Sequence, residues 1–194
     1  MEKKLLITGF DPFGGQPVNP SWEAVKALPD RIGPYALTKL QIPTVFALAA
    51  EQVLAAGAHF DAILCVGQAG GRDAITPEVI AINLQEATIA DNAGNQPVNV
   101  PVIPGGPAAY FATVPVRQMV SAIRDAGLPG KLSYSAGAFV CNDVLYRLLH
   151  RYAGTSTRVG FIHVPFLPEQ AKENTPSMPL EEIAKGLEAA IGAL

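Results

Sequence analysis

A chain of 194 residues that is 49% hydrophobic and only 16% charged can bury a full core and does not have a disordered composition. Its net charge of −3 offers little to phosphate backbones or anionic membrane surfaces, so nucleic acid is not an expected partner. The apolar start Leu5–Ile7 is too short for a signal-peptide core of roughly 7–15 residues. The charge-free stretch 92–116 is broken by Pro97, Pro101, Pro104, Pro107 and Pro115, so no membrane span and a cytoplasmic location are expected.

In chain order, Lys3–Thr8 is a short apolar run and predicts a buried first strand. The loop GFDPFGGQPVNP follows, and Asn19 is placed to cap a helix over Pro20–Leu28 with proline in its first turn. Ala36–Ile42 reads as a strand and Thr44–Ala56 as a helix. Asp61–Gly67 is a continuous apolar run of the kind that is covered on both faces of a sheet. Glu78–Leu84 reads as a short strand, and 86–113 as a hairpin or long arm around the DNAGN turn. Val116–Ala126 predicts a helix, Lys131–Ser135 a strand, Val140–Tyr152 a helix, Arg158–Val164 a strand and Leu180–Leu194 a closing helix. Strands alternating with helices predict one α/β domain over 1–194: a three-layer sandwich with a mostly parallel, twisted sheet and helices on both faces. Sites in such folds gather at the carboxyl ends of strands.

Three segments carry chemistry-bearing residues near such positions. Cys141 follows the small-residue turn SAGA at the start of a helix, where the positive end of the dipole favours thiolate and unpaired N–H groups can bind an oxyanion. The plainer reading makes Cys141 a small buried hydrophobe, as Cys65 is expected to be inside AILCVG. His163 ends the strand RVGFIHV, a place for a base or for a satisfied core histidine. Glu78 follows Thr76-Pro77 and could hold an imidazole in the required tautomer, with Asp91 of DNAGN as a rival for that role. Phe10 and Phe13 in GFDPFGG suit the walls of a small apolar pocket; the loop lacks the Gly-Lys-Ser/Thr of a phosphate cradle. No Cys/His cluster has metal-ligand spacing, so no metal is expected.

Taken together, LITGFDPFGG, NPSWEA, GQAGGR, ITPEVIAIN, DNAGNQP, GPAAYFATVP, SAGAFVCN and GFIHVPFLPEQ resemble, in order and along nearly the whole chain, the pyroglutamyl peptidase I family of cysteine peptidases. The resemblance implies a Cys141–His163–Glu78 triad and a thioester intermediate, with no cofactor. It implies a pocket formed by Phe10, Phe13, Phe139 and Val140, with backbone groups of Gln68 and with Thr44 and Ile89 at its edges. Peptides with an N-terminal pyroglutamate are the implied partners, and a homo-oligomer, a tetramer, the implied assembly. Val79 and Thr88 stand where the family often has basic residues. Two other readings compete: a nucleoside phosphorylase of similar build, for which no basic cluster is evident, and a non-catalytic relative, which would have lost a triad residue.

Overall fold

The computed structural model describes residues 2–57 and 59–194. Its elements are β1 (Lys3–Phe10), α1 (Pro20–Ala27), β2 (Arg31–Ile32), β3 (Tyr35–Ile42), α2 (Leu48–Ala55), β4 (Ala62–Gln68), β5 (Thr76–Pro77), β6 (Ile80–Ile82), β7 (Ala109–Phe111), α3 (Val116–Asp125), α4 (Val140–Arg151), β8 (Arg158–Val164) and α5 (Leu180–Gly192), with one 3-10 turn at Pro168–Gln170. The main sheet runs β2-β3-β1-β4-β8-β5. Its four long strands are parallel, and the two-residue edge strands β2 and β5 are antiparallel to their neighbours. Strands β6 and β7 form a separate antiparallel pair.

The two-residue period of a strand sends alternate side chains to opposite faces. Leu5 and Ile7 of β1, Leu64 and Val66 of β4, and Ile162 and Val164 of β8 pack under α1, α3 and α5. Leu6 and Phe10, Ile63 and Cys65, and Val159 and Phe161 pack under α2, α4 and the β6–β7 pair. The three-layer α/β sandwich follows directly. The chain leaves β1 for β3 on one side and then crosses back to β4 on the other, so the strand order reverses at β1 and β4. The carboxyl ends of those strands form the crevice where doubly wound folds bind ligands.

Two local expectations need correction. Lys131–Ser135 is not a strand of the sheet; it touches it only through isolated parallel bridges, Ile75 to Gly130 and Glu78 to Ser133. The second helix begins at Leu48, not near Thr44. Three aspartates from distant parts of the chain take the N–H groups that a helix would use. Thr44 N donates to Asp11 Oδ1 at 2.7 Å, Phe46 N to Asp91 Oδ2 at 3.0 Å and Ala47 N to Asp143 Oδ2 at 2.9 Å. Ala47 takes a positive φ of 59° as the chain turns into the helix. The start of α1 is as expected: Asn19 Oδ1 accepts from Ser21 N, and Ser21 Oγ accepts from Phe10 N, tying the end of β1 to the helix. Residues 86–113 form the expected arm, pinned at the DNAGN turn by Asp91.

Asp143 is fully buried and also accepts from Gln85 Nε2 at 2.6 Å and Arg147 Nε at 3.0 Å. Removing it strands several donors at once. Asp143→Ala is expected to destabilise the fold by about 3 kcal/mol, with Asp143→Asn recovering part of the loss because its carbonyl still accepts. Urea denaturation of the three proteins measures both differences.

Candidate active site

A cavity of about 220 Å³ opens at the carboxyl ends of β1, β4 and β8. Phe10 closes β1, Gln68 closes β4 and His163 sits near the end of β8; all three line it. Cys141, the second residue of α4, also lines it. Its neighbour Phe139 is the N-cap and provides no side-chain acceptor, so the first N–H groups of α4 are not capped by a side chain. Gly137, also in the wall, has a φ of +76°, which lets the turn before α4 fold without a strained side chain. Gly67 leaves the thiol its space: a Cβ there would lie 2.7 Å from Phe161 Cζ and 3.0 Å from Cys141 Sγ.

Thr44, Phe13 and Phe139 complete the apolar and small wall. Phe139 meets Phe46 edge-on at 5.3 Å and Phe13 at 6.2 Å. Val140 lies in the core behind, fully buried, so what it can offer a ligand is backbone. Ile89 is 48% exposed and is not part of the wall. Thr88 is exposed on the arm and Val79 is half-buried, so the wall's cation comes from elsewhere. It is Arg72, which with Asn19, Ala136 and Gly137 was not anticipated as a pocket residue. The only hint was its place in GQAGGR, a glycine-rich loop after a buried strand.

His163 is 3% exposed and Glu78 fully buried. His163 Nδ1 and Glu78 Oε1 are 2.7 Å apart. An ionised carboxylate there accepts from Nδ1–H, which leaves Nε2 free to take a proton. Arg72 Nη1 donates to the same Oε1, also at 2.7 Å. Asp91 is occupied elsewhere: besides Phe46 N it accepts from the N–H groups of Ala93 and Asn95 and from the Asn95 amide. The geometry therefore gives the imidazole to Glu78.

Burial tends to raise the Glu78 carboxyl, but the hydrogen bond and charge of His163, then the Ser133 hydroxyl and the Arg72 charge, hold it below its ordinary value. Burial lowers His163, and the Glu78 hydrogen bond and charge only partly oppose this. Burial, then the charge of Glu78, pushes the half-buried Cys141 thiol up to about 12. At Cys141 desolvation thus acts against the helix-start effect expected from sequence. Cys65 is wholly buried in β4, and burial pushes it up to about 12 as well.

An α/β sandwich that brings a thiol and a carboxylate-bound imidazole to one small apolar cavity has the make-up of a cysteine-type hydrolase. The family model described as pyroglutamyl peptidase, peptidase family C15, matches residues 3–194. The pyrrolidone-carboxylate peptidase of Staphylococcus carnosus is 50% identical, over 98% of this chain and 92% of that protein. Its namesake from Levilactobacillus brevis is 52% identical, over 98% and 97%. The crystal structure of pyroglutamyl peptidase I from Bacillus amyloliquefaciens superposes with a TM-score of 0.95 at 48% identity, covering 99% of this chain and 96% of that one. The chain belongs to the pyroglutamyl peptidase family of cysteine peptidases. No helix among the described residues is long and apolar enough to cross a membrane.

The shifts at Glu78 and His163 have one sign: each binds a proton less readily in the folded chain than in the unfolded one. The unfolded state therefore holds more protons wherever these groups titrate, and stability falls as pH falls. The loss from His163 begins below its ordinary value of 6.5 and that from Glu78 below 4.5. The urea midpoint is expected to drop between about pH 7 and about pH 5, and to drop less in His163→Gln. A midpoint flat across that window would put a proton on the folded imidazole instead.

Proposed function

We propose that the enzyme hydrolyses the amide bond after an N-terminal pyroglutamyl residue and releases 5-oxoproline, as one peptidase domain over residues 1–194. Cys141 is the nucleophile, His163 the base and Glu78 the residue that orients His163. One observation carries the proposal: Cys141 and the Glu78-bound imidazole share a cavity of about 220 Å³ with phenylalanine walls. The substrate comes from the relatives, whose names specify a pyrrolidone carboxylate or a pyroglutamyl group.

The reaction divides into two acyl transfers. The ring sits against Phe10, Phe13 and Phe139 with the carbonyl carbon of the scissile amide, outside the ring, at Cys141. As Sγ attacks, its proton passes to His163 Nε2, so the thiolate need not exist beforehand. The uncapped N–H groups at the start of α4 receive the developing oxyanion. The C–N bond then breaks and the leaving amine takes the proton from Nε2. Water attacks the thioester while Nε2 accepts its proton, the C–S bond breaks, and that proton returns to Sγ. The cycle balances without a metal or cofactor.

A cytoplasmic location and a homo-oligomer, a tetramer by resemblance, belong to the same proposal. Val98 and Phe111 are 65% and 70% exposed, apolar surface that neighbouring copies would cover.

Cys141→Ala is expected to abolish turnover, whereas Cys65→Ala costs packing and leaves turnover measurable. Iodoacetamide is expected to inactivate the enzyme with its label on Cys141. Full inactivation with the label mapped to Cys65 would overturn the assignment.

Pyroglutamyl and prolyl rings are nearly the same size, so the phenylalanine walls cannot separate them. A prolyl ring brings a cation into an apolar cavity and lacks the lactam carbonyl. The expected preference in kcat/KM is on the order of 10⁴ for amides with one common leaving group. A prolyl value within about tenfold of the pyroglutamyl one would sink this account of the pocket.

A further inference from the structure

The loop between β4 and β5 carries one cation, Arg72, half-buried in the cavity wall. Its guanidinium links the 76–78 stretch to Ser135. Nη1 donates to Glu78 Oε1 at 2.7 Å and to Thr76 Oγ1 at 2.5 Å, and Nη2 donates to Ser135 O at 3.0 Å. Ser135 begins the turn that leads into α4 and Cys141, and Thr76 lies in β5, paired with His163 of β8. Arg72 therefore touches the carboxylate, the edge strand that pairs with the imidazole's strand, and the turn that leads to the thiol.

The carboxylate itself is asymmetric. Oε1 receives both His163 Nδ1 and Arg72 Nη1, while the equally buried Oε2 has no hydrogen-bond partner among the described residues. The Ser133 hydroxyl is near enough to Glu78 to help lower its carboxyl, yet by geometry it donates to Ser135 O at 3.2 Å and makes no hydrogen bond to Oε2. A buried carboxylate with one idle oxygen can rotate, or take a proton on that oxygen, unless something else fixes it. An imidazole alone gives one bond on one oxygen, which sets a distance but not a plane.

We propose that Arg72 is a positioning residue of the reaction: it clamps the Glu78 carboxylate, ionised and in one orientation, so that Oε1 is held on His163 Nδ1. The proposal rests on the reading of Glu78 as the orienter of His163. A guanidinium suits the task because its planar fork fixes two directions at once, which an ammonium cannot do. Its charge also faces the reacting pair. The titratable groups around it are Glu78, His163 and Cys141, with Cys65 behind Cys141. Asp73, next in sequence, is exposed and paired with Lys131 at 2.8 Å. The Arg72 charge lowers both His163 and Cys141.

The test is a set of pH–rate profiles on a chromogenic pyroglutamyl amide for Arg72→Met, Arg72→Lys, Glu78→Gln and the double variant Arg72→Met/Glu78→Gln. Removing a positive charge makes both protons of the Cys141–His163 pair harder to lose, whichever atom holds them. Both limbs of the Arg72→Met profile are expected to move to higher pH by about one unit. Its kcat is expected to fall by about 10–100-fold with little change in KM. Arg72→Lys keeps the charge but not the fork, so kcat falls and the limbs stay. In the Glu78→Gln background Arg72→Met is expected to cost less than about threefold, since the carboxylate it holds is gone. The double variant has no unpaired buried carboxylate and carries the comparison even where Arg72→Met folds poorly. A loss above about tenfold in that background would overturn the clamp. So would Arg72→Met with an unshifted profile, which is what a merely structural arginine gives. Near-normal turnover in Glu78→Gln alone would instead remove the orienter reading beneath it, a result separable from either failure of Arg72.

Discussion

The site is arranged around one carboxylate with no exposed surface. Glu78 gives up its hydration entirely, so its charge survives only through the partners that reach it. Those partners, His163 and Arg72, come from β8 and from the loop after β4. Bringing them together requires β5 to lie against β8 in one register, with Thr76 opposite His163. A slip of one residue would turn the Glu78 side chain away from the imidazole. The edge strand β5 is only two residues long, yet its register sets the electrostatics of the cavity.

The other wall of the cavity depends on carboxylates too, used differently. Asp11, Asp91 and Asp143 hold the backbone of 44–47 in a loop, which brings Thr44 to the cavity and Phe46 edge-on to Phe139. Each of these aspartates accepts one backbone N–H of that loop together with amide or guanidinium groups. The contrast with Glu78 is one of partners: its Oε1 holds no backbone N–H and is shared between an imidazole and a guanidinium.

Much of this was legible in the sequence. The apolar runs gave the long strands, with β8 matching its expected limits, because a strand buried on both faces leaves an unbroken hydrophobic signature. Cys141 and His163 were legible because a helix start and a strand end are local features. Three things were not. Lys131–Ser135 has strand-like composition, but its pairing is limited to single bridges, a matter of where the sheet edge falls. The loop before α2 looked helical because the aspartates that unwind it lie 33, 45 and 96 residues away. Arg72 gave no more than the hint of its glycine loop, since an arginine there says little until Ser135 O, 63 residues on, accepts its hydrogen bond.

The long reach of these contacts bears on the making of the chain. The hydrogen bond between Glu78 and His163 spans 85 residues, and the strand that carries His163 ends at Val164. A polypeptide emerging from its N-terminus carries the Cys141 thiol before it carries the His163 imidazole. Contacts of such large sequence separation close late, after the loop entropy between them has been overcome. The cavity that thiol and imidazole share is thus assembled only after β8 has been made, and a chain that stops short of β8 lacks it.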